Sequence, residues 1–373
     1  MNRYAKALRR HRTLALVALS ALVLSACASS PLDTTKPVGE HAKSIDFLYR
    51  FSGIMAIVVG LFVGAAVLVV IIKFRARPGT EDELPEQVEG HLKAEISWTL
   101  IPVGMLVVLT AFTLPKVFEL NETSDGMTVR VEGQQWWWQF MYDIDEDGEY
   151  DIVTANEIVI PVGEEVNLEI TSNDVIHSFW VPRLNGKRDA VPGRVHPWLI
   201  SSPVPGVFWG ECTEFCGLSH ANMQIRAVVL EQADFDRWVA EQLSGADREA
   251  PAIGSAAQAG MDLFAQHCST CHIVEGTFEA PNTALLRSGV APNLTNLMTR
   301  TSFAGALFDL YLDNGDLNVA ELREWVRDAP GRKPLRPDNQ QGMVSFKDIL
   351  SEDDLDNIIA YLQTLGHEPI LPE

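Results

Sequence analysis

Cys212-x3-Cys216-x3-His220-x2-Met223 and Cys268-x-x-Cys271-His272 stand on one chain with 44 residues between them. The first run gathers two thiols, an imidazole and a thioether within twelve residues, a donor set that suits copper better than a hard cation. The second is the pattern in which two thiols bond the vinyl groups of a haem and the adjacent His ligates its iron. The chain around each must fold so that these side chains converge. A polypeptide with two one-electron centres is most simply an electron relay.

A single blue-copper site needs one thiolate, two imidazoles and a weak axial Met. Here there are two thiolates, and His177 in Asn173-Asp-Val-Ile-His-Ser-Phe-Trp180 offers a second imidazole. Two copper ions bridged by both Cys would use the whole set. A closed zinc site with two Cys and two His is the competing reading, and spacing alone leaves it open. The Cys-x-x-Cys of the second motif lacks the second Cys pair of a zinc site and the β-α-β surroundings of a thioredoxin-type pair, so haem attachment is the expectation.

The fifth cysteine, Cys27, ends Leu24-Ser-Ala-Cys behind five basic residues and an apolar run over 14–24. Residues 1–26 therefore read as a bacterial lipoprotein-type signal peptide with Cys27 as the lipidated residue. No cysteine pair is left for a structural disulfide. Residues 51–72 and 96–115 carry no charge, and at about 1.5 Å per residue each suits a hydrocarbon core of about 30 Å. Lys73, Arg75, Arg77 and Lys93 between them place that loop in the cytoplasm. The expected location is the bacterial inner membrane, multi-pass, with the Cys motifs on the periplasmic side. Beyond the signal the chain has 24 basic against 50 acidic residues, which argues against nucleic acid and for a basic protein partner.

Short β-rich runs punctuated by Pro, Gly and Asn fill 127–231, as in an all-β sandwich or barrel. A short helix is expected over 234–243. Residues 244–257, rich in Ala, Gly and Ser, read as a flexible linker. Beyond 258 the periodicity is helical, and Ser351 with Asp354 caps a last helix that carries Leu355, Ile358, Ile359 and Leu362 on one face. The expected class is multidomain: signal peptide over 1–26, two-helix transmembrane hairpin over 27–120, all-β copper domain over 121–243, linker over 244–257, and all-α haem domain over 258–373.

The twelve-residue loop, Asp174-Val-Ile-His-Ser-Phe-Trp-Val-Pro182, Gly186-Lys-Arg-Asp189 through Pro192-Gly-Arg194, and Glu95-Ile-Ser-Trp-Thr-Leu-Ile-Pro102 resemble subunit II of haem–copper cytochrome c oxidase over roughly 40–240. The resemblance implies a cupredoxin fold with a binuclear CuA centre. His177, Cys212, Cys216, His220 and Met223 are then ligands, with the Glu214 carbonyl on copper and its carboxylate near a Mg2+ at a subunit boundary. Trp136 in Gly133-Gln-Gln-Trp-Trp-Trp138 matches an exposed Trp that receives electrons, although Gln134 departs from the His often found there. Glu95 matches a position at a proton-uptake entrance; an interfacial helix anchor is the plainer reading.

Residues 258–366 resemble class I cytochrome c through Gly260, Phe264, Ala291-Pro-Asn-Leu294 and Tyr361. Pro292 is expected to offer its carbonyl to His272. Only Met298 and Met343 follow the haem motif, and Met343, in a Pro- and Gly-rich loop before the last helix, is the expected second axial ligand. Val344 departs from the Pro common there.

Together the resemblances imply a caa-type oxidase subunit that passes electrons from haem c to CuA and on to a haem–copper subunit I that reduces oxygen, with no oxygen chemistry on this chain. Its partners would be subunit I and other oxidase subunits, membrane lipid, and a basic cytochrome c or a quinol–cytochrome c reductase as donor. The alternatives are an electron-donating subunit of a nitric oxide reductase, or a lipid-anchored copper-binding protein without a turnover role.

Overall fold

The computed structural model describes residues 30–75, 89–276, 291–335 and 341–372, with scattered positions before residue 20. Cys27 and most of the expected signal peptide lie outside the described residues.

Two long apolar helices come first. Helix α1, Glu40–Lys73, has an acid in its first turn and a base in its last, matching the helix dipole. Helix α2, Leu92–Glu119, is opened by His91, whose Nδ1 accepts the Ala94 N–H. Both overrun the uncharged stretches, and no part of the most apolar window of each is buried within the chain, as expected of helices that meet lipid. Phe51 and Phe112 pack at 5.2 Å, and Ser44 donates to Glu119 at 3.0 Å, tying the helices together at one end.

Ten strands follow: β1 Thr128–Gln134, β2 Trp137–Tyr142, β3 Ile152–Ala155, β4 Glu157–Pro161, β5 Val166–Ser172, β6 His177–Trp180, β7 Lys187–Ala190, β8 His196–Ile200, β9 Gly206–Glu211 and β10 Gln224–Leu230. They form one sheet in the order β3-β2-β1-β5-β8, a second in the order β4-β10-β9, and the β6-β7 pair. Val131, Phe140, Ile170, Phe179 and Val228 belong to one core that these strands enclose. Helix α3, Gln232–Ser244, closes the core, with Trp238 at 5.3 Å from the Tyr142 ring. It is three residues longer than the expected 234–243.

The last part holds α4 Ala256–His267, the short strands β11 Ser302–Phe303 and β12 Phe308–Asp309, α5 Val319–Arg332 and α6 Glu352–Leu362. Helices α4 and α6 cross at Gly260, where an added Cβ would come within 1.8 Å of the Asn357 carbonyl oxygen. Only glycine fits so close an approach. Phe264 and Tyr361 pack beside it at 5.4 Å, and Ser351 and Asp354 form the expected capping box of α6.

The expected linker, residues 244–257, begins in an ordered turn. Residues Gly245–Asp247 form a 3-10 turn, and the chain on either side is bonded to the haem domain. Gln242 Nε2 donates to Thr299 at 2.9 Å, Asn296 Nδ2 donates to the Gln242 carbonyl at 3.0 Å, and Arg248 donates to Asn296 at 3.2 Å. Composition suggested a free tether because it cannot show that Asn296 and Thr299 supply partners from about fifty residues away.

Candidate metal centres

The loop 212–223 joins the antiparallel pair β9 and β10, and the Cys212 N–H closes its base by donating to the Met223 carbonyl at 2.9 Å. His177 enters from β6. Cys212 and Cys216 Sγ lie 3.8 Å apart; His177 Nδ1 is 3.8 Å from Cys212 Sγ, His220 Nδ1 is 3.5 Å from Cys216 Sγ, and Met223 Sδ is 3.9 Å from Cys216 Sγ. The Glu214 carbonyl oxygen is 3.3 Å from Cys212 Sγ. His177, Cys212, Cys216 and Met223 are buried.

Asp174 sets the direction of His177. Its Oδ1 lies 2.8 Å from His177 Nε2, which leaves Nδ1 toward the sulfurs and fixes the useful tautomer. Burial opposes charge on both groups, yet their mutual hydrogen bond holds His177 above the usual imidazole range and Asp174 below the usual carboxylate range. The two thiols act on each other: the hydrogen bond from Cys216 pulls Cys212 down to about 4, and the same bond pushes Cys216 up. Two thiolates this close need cations between them. On β1, Gly133 makes room for the His177 ring, since an added Cβ would lie 2.9 Å from Cδ2.

Six converging donors, five of them nitrogen or sulfur, exceed the four that a tetrahedral zinc site uses. They fit a soft metal pair that shares both thiolates.

In the haem domain, Ser255 caps α4, and the Cys271 and His272 N–H groups both donate to the Cys268 carbonyl, at 3.0 and 2.9 Å. This tight turn carries both thiols and the imidazole. His272 Nδ1 lies 2.8 Å from the Pro292 carbonyl oxygen, the contact expected from sequence, so Nε2 is left for iron. Burial lowers its pKa and favours the neutral, ligating form. The residues present fit a covalently attached haem.

Residues 143–231 match the family described as "Cytochrome C oxidase subunit II, periplasmic domain", and residues 257–366 match "Cytochrome c". A "Cytochrome c oxidase subunit 2" of Alkalihalophilus pseudofirmus is 36% identical, over 92% of this chain and 94% of that protein. The chain belongs to the cytochrome c oxidase subunit 2 family. Proteins of the same name from Bacillus sp. strain PS3 and Bacillus subtilis strain 168 are 32% and 29% identical over nearly the full length of both chains. This chain is therefore an oxidase subunit with a copper-type β domain and a cytochrome c domain, part of a haem–copper oxidoreductase.

The remaining expected positions fall as follows. Trp136 departs from expectation: it is 3% exposed rather than open to solvent, and its Nε1 donates to the Cys216 carbonyl at 3.1 Å. Its ring belongs to the core of the β domain, and Lys333 and Gly305 of the haem domain lie against its backbone carbonyl, a relation that no local signal around Trp136 reveals. Met298 is buried in the helical core, its N–H bonded to the Leu365 carbonyl and its carbonyl to the Tyr311 hydroxyl, both at 2.8 Å. Met343 is half-buried at the edge of that core. Glu95 is exposed in the first turn of α2 and accepts the His91 N–H at 3.1 Å. Among the described residues, three-donor clusters occur at His177–Cys212–Cys216 and Asp143–Asp145–Asp151. The Glu214 side chain is in neither. Asp174 was passed over in sequence as a functional residue, although its position three before His177 was the available signal.

Proposed function

We propose that this chain is the electron-relay subunit of an aerobic cytochrome c oxidase, taking electrons at haem c, passing them to binuclear copper, and delivering them to the subunit that reduces oxygen to water. The haem and the copper pair, when bound, supply the one-electron carriers. The protein's part is to hold each donor set rigid and dry. Cys268 and Cys271 would carry the haem, with His272 and Met343 on its iron; His177, Cys212, Cys216, His220, Met223 and the Glu214 carbonyl would hold copper.

The convergence of six donors, five from the 212–223 loop and His177 from β6, carries this reading. Burial of His177, Cys212, Cys216 and Met223 supports it, because a site shielded from water needs little reorganisation when its charge changes. The choice of Met343 over Met298 is supported by the loop position of Met343, which can adapt to a ligand, whereas Met298 is fixed at both its backbone groups. Any magnesium at Glu214 would need further ligands from a partner subunit, and Phe215 and Leu218, exposed beside it, suit cover by such a partner. Glu95 is proposed as a proton-uptake residue and Cys27 as a lipid anchor of an inner-membrane protein. The donor is proposed to be a basic protein.

The experiment is the optical and spin-resonance spectrum of the outer region, residues 121–373, expressed with copper and haem maturation. A mixed-valence copper signal together with a covalently retained c-type haem is expected. A spectrum with haem but mononuclear or absent copper overturns the ligand set.

A further inference from the structure

We propose that the haem domain is a fixed cover on the copper domain, set in place by Glu157, Arg226 and Lys333, and that it closes Trp136 to any separate donor protein. This rests on the haem-to-copper relay proposed above. Glu157, Arg226 and Lys333 are positioning residues: they touch no metal ligand atom and act by fixing one domain on the other.

Glu157 on β4 and Arg226 on β10 are register partners, and both are buried although charged. A buried carboxylate is stable only when fully bonded. Glu157 finds its donors on the other domain: the Thr301 N–H and the Thr301 hydroxyl, each at 2.9 Å, and the Ser302 hydroxyl. Arg226 Nη1 completes the set by donating to the Thr301 hydroxyl at 2.9 Å and to its carbonyl at 3.2 Å. Charge-assisted bonds in this number allow one register of the seam.

A second contact lies over the copper loop. Lys333 Nζ donates to the carbonyl of Trp136 at 2.6 Å and to that of Ala304 at 2.8 Å, one from each domain. Beside it the Gln224 N–H donates to the Gly305 carbonyl at 2.9 Å. Ala304 and Ala306 have φ of 59° and 56°, a left-handed conformation that non-glycine residues keep only where the surroundings hold it. The Trp136 backbone therefore meets a turn of the haem domain on this face. A soluble donor that needed Trp136 would have to lift this cover, so donors must deliver to the haem domain.

The test uses the full oxidase and reads amide hydrogen exchange first, because exchange reports docking whether or not electrons pass. The Thr301 and Gln224 amides have their acceptors across the seam, and both should be protected like the β10 interior. The double variant Thr301→Val, Lys333→Met should raise their exchange by about tenfold or more, in step with a fall in the docked fraction. Thr301→Ser should keep the wild-type pattern, since it retains the hydroxyl. Copper and haem spectra of every variant check the relay reading separately.

The second readout is reduction of copper after flash reduction of the haem by a ruthenium complex. In the wild type its rate should be independent of solvent viscosity and salt; in the double variant it should fall by about tenfold and become viscosity-dependent. Wild-type Thr301 and Gln224 amides that exchange as fast as open loops, or a wild-type rate that falls with viscosity, would overturn the fixed cover while leaving both centres in place.

Discussion

Gln341 Nε2 donates to Asp174 Oδ2 at 3.1 Å, so the loop that carries Met343 touches the carboxylate that orients His177. Asp174 also accepts the Gln135 N–H at 2.7 Å. One side chain thus ties His177 of β6, the Gln135 backbone next to Trp136 and the haem domain together. Replacing it by Asn puts a donor or a weaker acceptor opposite His177 Nε2. Asp174→Asn should lower copper affinity by about 10–100-fold, with the haem spectrum unchanged. Competition with a chelator of known affinity measures this, and wild-type affinity in the variant would remove Asp174 from the account.

Gly133 faces His177 with no room for a side chain. Gly133→Ala must push the ring or the strand by several tenths of an ångström, an overpacking cost of about 1–3 kcal/mol. The expected outcome is an altered copper spectrum and a lower unfolding midpoint for the β domain, with the cytochrome domain's transition unmoved. Equal loss in both domains would point to a general folding defect instead.

Met343→His should lower the haem potential and abolish the sulfur-to-iron absorption band, because the axial ligand sets the potential. Met298→Leu, a volume-conserving change in a packed core, should cost less than about 1.5 kcal/mol and leave the band intact. Loss of the band in Met298→Leu would exchange the roles of the two methionines.

Burial of its amine draws Lys333 from 10.5 down to about 7. The docked state therefore disfavours a proton that a freed lysine keeps up to 10.5. Below 7 both states are protonated and the cost of docking a charged lysine is constant. From about 7 to 10.5 the undocked state binds more protons, so docking should strengthen as pH rises. The amine's bonded partners are the carbonyls of Trp136 and Ala304, and the charge of the Cys216 sulfur opposes the fall. Protection factors at the Gln224 amide, which remove the intrinsic pH dependence of exchange, should climb across that window and lose their slope in Lys333→Met.

The copper loop was legible because its chemistry is local: five of the six donors fall within twelve residues, four of them nitrogen or sulfur, and such a density of soft atoms has few other uses. The haem turn was legible for the same reason, and Pro292 followed from it. Strands β2 and β3 were harder to read. Trp137–Tyr142 is buried at every position, so it lacks the alternation that marks a strand with one face in water. The docking seam was not legible at all. Glu157 and Thr301 are 144 residues apart, and in sequence each is an unremarked polar residue. The one available hint was a carboxylate at the head of the apolar run Glu157-Ile-Val-Ile-Pro161, an acid in a strand whose other positions are core.

That same acid bears on how the two halves of this protein can be inherited. Glu157 and Arg226 sit inside the hydrogen-bonded pairing of β4 with β10, so the groove that receives Thr301 is built into the copper domain's own sheet. A chimera that joins this copper domain to a foreign cytochrome, or this cytochrome to a copper domain with apolar residues at 157 and 226, would leave one face of the groove without its match. Such hybrids are expected to mature both cofactors and still transfer electrons poorly. The halves then form a unit in which a change on one side calls for an answering change on the other, and recombination between lineages would tend to move them together.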